Sequence, residues 1–216
     1  MYQLAIFDLD GTLLDSIKDL SMACNFALKS FGYKAHTTEA YKRFVGSGVY
    51  KLIERAMPPE KRTPMSIQEV KAVFDNYYGA HSLDYTKPYE GILELLEGLK
   101  TAGVYTTVLS NKPHLYTVEL VERFFGEGID KALGQRENVP IKPHPVGIQE
   151  LLAAFDIPKE KCIYIGDSDI DMQTAKAAGV TSVGVLWGFR DRKELIESGA
   201  DYLAADATAL KEIILG

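Results

Sequence analysis

Two carboxylates stand two residues apart, Asp8 and Asp10, directly after the apolar run Leu4 to Phe7 and directly before Gly11-Thr12. Acids held this closely repel each other unless a cation sits between them, and a hard divalent ion with oxygen ligands is the natural neutraliser. Gly11 and Thr12 are expected to let backbone N–H groups turn toward an anion. By itself Asp-x-Asp-Gly reads as well as a turn that caps a helix. A second cluster shifts the reading: Asp167, Asp169 and Asp171 follow another apolar run, Cys162 to Ile165, and helix capping accounts for only one of the three. Between the clusters lie Ser110-Asn111 after a third apolar run and Lys142 set among prolines. Hydroxyl, amide and ammonium together describe a seat for a phosphate group.

The elements that must position these residues are legible as two periodicities. Short apolar runs at Leu4 to Phe7, Tyr105 to Leu109, Cys162 to Ile165 and Thr181 to Leu186 read as buried parallel strands. Helical spacing lies between them, in Ile92, Leu95, Leu96 and Leu99 and again in Ile148, Leu151, Leu152 and Phe155. This alternation predicts an α/β class with crossover helices. Residues 16–81 break it, carrying several helical faces and no strand pattern. They are expected to form an all-helical insert, with residues 1–15 and 82–216 making the core. Arg43-Phe44-Val45-Gly46-Ser47-Gly48 is the glycine-rich break between two of the insert's helices.

Composition bounds the rest. A chain of 216 residues, 46% hydrophobic and 25% charged, can bury a sizeable core. Its formal charge of −6 offers no basic surface for a polyphosphate backbone, so no nucleic-acid partner is expected. No window approaches the ~18 apolar residues that would span a bilayer, and no export signal is visible, so no membrane partner is expected. Cys24 and Cys162 each sit among apolar neighbours as small buried thiols, which suits a cytoplasmic protein. The four histidines, His36, His81, His114 and His144, show no metal-ligand spacing.

Taken together and in this order, the four clusters resemble the motifs of the haloacid dehalogenase-like hydrolase superfamily, over essentially the whole chain. The helical segment placed just after the first motif is similar to the small cap of its phosphoglycolate phosphatase-like branch. That resemblance implies a Rossmann-like parallel-sheet core carrying the cap, and a Mg²⁺-dependent phosphatase for small phosphorylated metabolites, phosphoglycolate-like or sugar phosphates. It makes Asp8 the nucleophile, Asp10 the general acid/base and Lys142 the charge stabiliser. Gly11, Thr12, Ser110 and Asn111 would bind the phosphoryl group; Asp8, Asp10, Asp167 and Asp171 would serve the metal, with Asp171 supporting either it or Lys142. Asp169 has no role in the pattern and reads as a solvated cap. The loop with Arg43, Gly46 and Ser47 would touch the substrate's leaving group. A sugar phosphomutase, a pyrophosphatase or a nucleotidase would use the same core. A dehalogenase would have little use for Asp10 or the last cluster, and a phospho-acceptor signalling module would lack the insert.

Overall fold

The computed structural model describes residues 1–216. Its elements run β1 (Leu4–Phe7), β2 (Leu14–Asp15), α1 (Ile17–Ser30), α2 (Thr38–Phe44), α3 (Gly48–Ala56), α4 (Pro64–His81), β3 (Lys87–Pro88), α5 (Ile92–Thr101), β4 (Tyr105–Pro113), α6 (His114–Phe125), β5 (Lys131–Gln135), α7 (Val146–Phe155), β6 (Cys162–Gly166), α8 (Asp169–Ala178), β7 (Thr181–Val185), α9 (Arg192–Glu197), β8 (Tyr202–Ala204) and α10 (Ala207–Leu215). The chain divides into two compact units, Met1–Leu14 with Pro88–Gly216, and Asp15–Lys87. The return crossing thus falls at Lys87–Pro88, a few residues beyond the end of α4.

The first unit is built on a six-stranded sheet in the order β5-β4-β1-β6-β7-β8, parallel throughout. β1 is central, with Leu4 opposite both Tyr105 and Cys162. Every residue of β1 is fully buried, because helices cover both faces of a parallel sheet. The pleat sends Ala5 and Phe7 to a cluster with Ile92, Leu95 and Leu99 of α5, Leu120 of α6 and Leu210 and Ile214 of α10. Leu4 and Ile6 go to the other side, with Ile148 and Leu151 of α7 and Ala175 of α8. The parallel arrangement brings the carboxyl ends of all six strands to one edge, and the chain builds β4 and β5 on one side of β1 before switching to β6, β7 and β8 on the other, which is where an open α/β sheet leaves a crevice.

The α/β class read from the sequence is the one found. β5 and β8 went unread: Gly134 interrupts the first, and the second has three residues, too few to show a period.

The second unit contains four helices, α1 to α4. Their buried faces carry Leu20, Cys24 and Ala27; Tyr41; Leu52 and Ile53; and Ile67, Val70, Phe74 and Tyr78. Asp19, in the first turn of α1, accepts from the N–H groups of Tyr85 and Thr86 and from the Thr86 hydroxyl at 2.7 Å, which fastens the returning segment to the start of the helix. No helix of the chain is long and apolar enough to cross a membrane.

Candidate active site

The edge formed by the strand ends collects the residues picked out by their chemistry. β1 delivers Asp8 and Asp10, β4 delivers Ser110, Asn111 and Lys112, β6 delivers Asp167 just ahead of α8, and the segment between β5 and α7 delivers Lys142. All are buried except Asp10, which is half-buried.

Lys142 ties the group together. Its Nζ lies 2.9 Å from Asp8 Oδ1, 2.7 Å from Asp171 Oδ1 and 3.1 Å from the Tyr164 hydroxyl, three acceptors for the three N–H bonds of an ammonium. Its main chain is fixed as well: the Lys142 N–H donates to Asn111 Oδ1 at 2.9 Å, and the Lys142 carbonyl accepts from Asn111 Nδ2 at 3.1 Å. Asp171 is spent on this arrangement. Its Oδ1 accepts from Lys142 and Tyr164, and its Oδ2 accepts from the Ser168 N–H at 3.1 Å and the Ser168 hydroxyl at 2.6 Å, in a capping box that starts α8.

Asp167 is placed by backbone economy. Its Oδ2 accepts from the Phe189 N–H at 2.7 Å. A Cβ at Gly11, whose φ is +92°, or at Gly188 would run into this carboxylate, so both positions require glycine for the acid to lie where it does. Trp187 Nε1 donates to the Thr12 carbonyl at 3.0 Å and holds the first loop against the loop after β7. Asp10 turns its carboxylate to Lys112, whose Nζ lies 3.1 and 3.2 Å from its two oxygens with the lysine side chain only 3% exposed.

Electrostatics follow from crowding acids in a dry site. Asp8, Asp167 and Asp171 each offer an oxygen within 4.8 Å of the others. Burial first, then the neighbouring acids, push Asp8 up to about 7 despite the opposing pull of Lys142. Burial, Asp171 and Asp8 likewise hold Asp167 well above the usual carboxylate range, against the Phe189 N–H and Arg190. Burial disfavours the Lys142 ammonium, yet Asp171 and Asp8 outweigh it and hold the group well above the ordinary lysine range. Four acids, counting Asp10, face two lysines, and the buried Arg190 is paired with Glu194 at 2.9 Å. The acids outnumber the lysines, and the donors are carboxylate oxygens, so the site suits a hard divalent cation.

The expectations for individual residues fare differently. Asp8, Lys142, Asp167 and Asp171 are brought into one cluster, while the Asp10 carboxylate sits on Lys112. The Gly11 and Thr12 N–H groups donate within the loop, to the Leu14 and Leu9 carbonyls at 2.9 and 3.3 Å, because the loop closes on itself after β1. The Asn111 amide serves the main chain of Lys142. Ser110 accepts from the Lys112 N–H at 3.3 Å, which leaves its own proton to donate. Asp169 lies at the start of α8, apart from the cluster. Arg43, Gly46 and Ser47 belong to the helical unit, where Arg55 of α3 donates to the Phe44 carbonyl at 2.8 Å and to Ser47 Oγ at 2.9 Å, spanning the loop between α2 and α3. Lys112 and Tyr164 escaped the sequence reading. A lysine ending an apolar strand was a usable signal, since a strand buried on both faces gives a charge no solvent to reach; nothing marked Tyr164 among its apolar neighbours.

The family model for haloacid dehalogenase-like hydrolases matches residues 5–185, a span holding all four clusters and the helical insert. The chain belongs to the haloacid dehalogenase-like hydrolases. Among curated relatives of this haloacid dehalogenase-like hydrolase, the phosphoglycolate phosphatase of Vibrio parahaemolyticus is 31% identical over 221 residues, covering 98% of this chain and 96% of its own. That of Aquifex aeolicus is 32% identical over 185 residues, covering 85% and 84%. A crystal structure from Lactobacillus delbrueckii subsp. bulgaricus, of a protein described as a candidate phosphoglycolate phosphatase, superposes with a TM-score of 0.95 at 37% identity, covering 100% of this chain and 99% of the other. The haloacid dehalogenase-like hydrolase described here is accordingly a phosphatase, an enzyme that hydrolyses phosphoric monoesters.

Proposed function

We propose that this phosphatase hydrolyses small phosphomonoesters, phosphoglycolate-like or sugar phosphates, in a Mg²⁺-dependent reaction through an aspartyl-phosphate on Asp8. The observation that carries the proposal is the pairing of a buried Asp8 with Lys142 at 2.9 Å inside a cluster of acids. A carboxylate oxygen of Asp8 attacks phosphorus, forming the Asp8–phosphorus bond as the bond to the ester oxygen breaks. Asp10 delivers a proton to the departing alkoxide, then takes one from the water that attacks the phosphorylated Asp8, so that phosphate leaves and both aspartates return to their starting states. Lys142, held by Asp171, Tyr164 and Asn111, orients Asp8 and offers positive charge to the equatorial phosphoryl oxygens, and the Ser110 proton is free to bond one of them. Asp8 and Asp167 would hold Mg²⁺ with Asp171 behind them, and the ion would supply Lewis-acid charge against the ester's oxygens.

In the helical unit, the loop carrying Arg43, Gly46 and Ser47 selects the leaving group, and the two buried, unpaired cysteines suit a cytoplasmic setting. A panel of phosphomonoesters assayed with Mg²⁺, including 2-phosphoglycolate, sugar phosphates and p-nitrophenyl phosphate, tests the reading. Phosphate release is expected for at least one natural small ester, with Asp8→Asn reducing it by about a thousandfold or more at an unchanged fold. Residual activity within tenfold of the wild type, or isomerisation of a sugar phosphate without phosphate release, would overturn it.

A further inference from the structure

We propose that Tyr164 is a positioning residue for Lys142, its hydroxyl fixing the direction of the ammonium that orients the nucleophile. This rests on the reading of Asp8 and Lys142 as reacting groups. The residue stands in the middle of β6, where all four of Cys162, Ile163, Tyr164 and Ile165 are fully buried. An aliphatic side chain would serve a strand covered on both faces, whereas a phenol brings a polar oxygen into a dry layer and costs free energy unless it is bonded.

The hydroxyl is bonded, to the charged groups of the site. It accepts from Lys142 Nζ at 3.1 Å and donates to Asp171 Oδ1 at 3.1 Å, with the Leu109 carbonyl farther off at 3.4 Å. Lys142, Tyr164 and Asp171 therefore close a three-membered ring of hydrogen bonds, since Lys142 also donates to Asp171 at 2.7 Å. Two carboxylates alone would leave the third ammonium proton bare and let the group pivot about the line joining Asp8 and Asp171. A third carboxylate in its place would add charge to a cluster that already has too much. A neutral hydroxyl satisfies the last proton without adding charge, and it does so from the sheet side, leaving the contact with Asp8 as the one that an arriving phosphoryl oxygen can share.

Tyr164→Phe removes the oxygen and keeps the ring. Turnover is expected to fall about tenfold to a hundredfold, the worth of a buried hydrogen bond to a charged group, by the same factor on p-nitrophenyl phosphate and on unactivated esters, with KM within about threefold. The same substitution in a Lys142→Met background is expected to change residual turnover by less than about twofold, because the hydroxyl then has no ammonium to direct. Ile163→Val, on the same strand but facing the other side, controls for lost packing and is expected to lower stability with turnover unchanged. A Tyr164→Phe enzyme that folds with turnover within threefold of the wild type would overturn the proposal, as would an undiminished loss in the Lys142→Met background. Should Tyr164→Phe fail to fold, Tyr164→Phe with Lys142→Met decides: recovery of a cooperative melt supports an orphaned ammonium as the cause, and no recovery overturns it. A wild-type protein that releases phosphate from no ester would instead sink the proposed function.

Discussion

Replacing Asn111 with Ala tests whether Lys142 is held by its main chain as well as by its ammonium. The amide makes two buried bonds, to the Lys142 N–H at 2.9 Å and to the Lys142 carbonyl at 3.1 Å. Truncation leaves both backbone groups bare in a dry layer, and at about 1–3 kcal/mol for each orphaned group the loss is about 2–6 kcal/mol. For a chain of this size about 2–4 °C of melting temperature goes with each kcal/mol, so the melt is expected to fall by about 4–24 °C. The segment carrying Lys142 is then free to shift, and a displacement of about 1 Å in a reacting constellation costs on the order of a hundredfold. Turnover of p-nitrophenyl phosphate should therefore drop by about ten- to a hundredfold while KM changes little. Asn111→Asp should be no better, since an oxygen would then oppose the Lys142 carbonyl. The assay is a thermal melt alongside steady-state kinetics on the same preparation. A melting temperature within 2 °C of the wild type, combined with a more than tenfold rise in KM, would show that the amide meets the substrate and that the anchoring argument is wrong.

Gly11→Ala should raise the Mg²⁺ concentration needed for half-maximal activity more than about tenfold, and cost about 1–3 kcal/mol in the melt, because a Cβ there strikes Asp167 and the backbone is left-handed; an unchanged Mg²⁺ requirement would separate Asp167 from the metal. Excess chelator should abolish phosphate release and added Mg²⁺ restore it, and full activity in chelator would refute metal dependence. In chelator, stability should decline as pH rises from about 4 to 7: Asp8 and Asp167 have folded-state values above their unfolded ones, so folding favours their protonated forms and loses up to about 1.4 kcal/mol per pH unit per group as they ionise. Lys142 is charged in both states throughout that window and contributes no slope. Thermal melts at pH 5 and pH 7.5 check this, and a higher melting temperature at pH 7.5 without metal would contradict it.

Much of this site is written in residue types. The apolar runs ending in Asp8, Ser110 and Asp167 announced strands that deliver polar groups to one edge, and the spacing of the acids announced a buried cluster of carboxylates. What escaped was the division of labour. Asp10 and Asp171 look alike in sequence, yet one lies on Lys112 and the other is used up by Lys142, Tyr164 and Ser168. Asn111 reads as a ligand for an anion until the segment carrying Lys142, about thirty residues on, is seen to close over it. Those pairings depend on which strands become neighbours, and sheet order leaves no mark on local periodicity. Gly11 likewise has a long-range reason that local sequence does not carry: the glycine makes room for Asp167, a residue about 150 positions away.

The central place of β1 has a consequence for synthesis. Its two neighbours begin at Tyr105 and Cys162, so the first strand to leave the ribosome waits about a hundred residues for one partner and still longer for the other. The helical unit, whose residues 15–87 are emitted in between, has all its own elements in hand well before that wait ends. Asp8 follows directly on the waiting strand, whereas Lys142, Asp167 and Asp171 are made about 130 residues later or more. A chain that ends before Lys142 therefore lacks Lys142, Asp167 and Asp171 altogether, and the cluster around Asp8 can close only once β1 has found both of its distant neighbours.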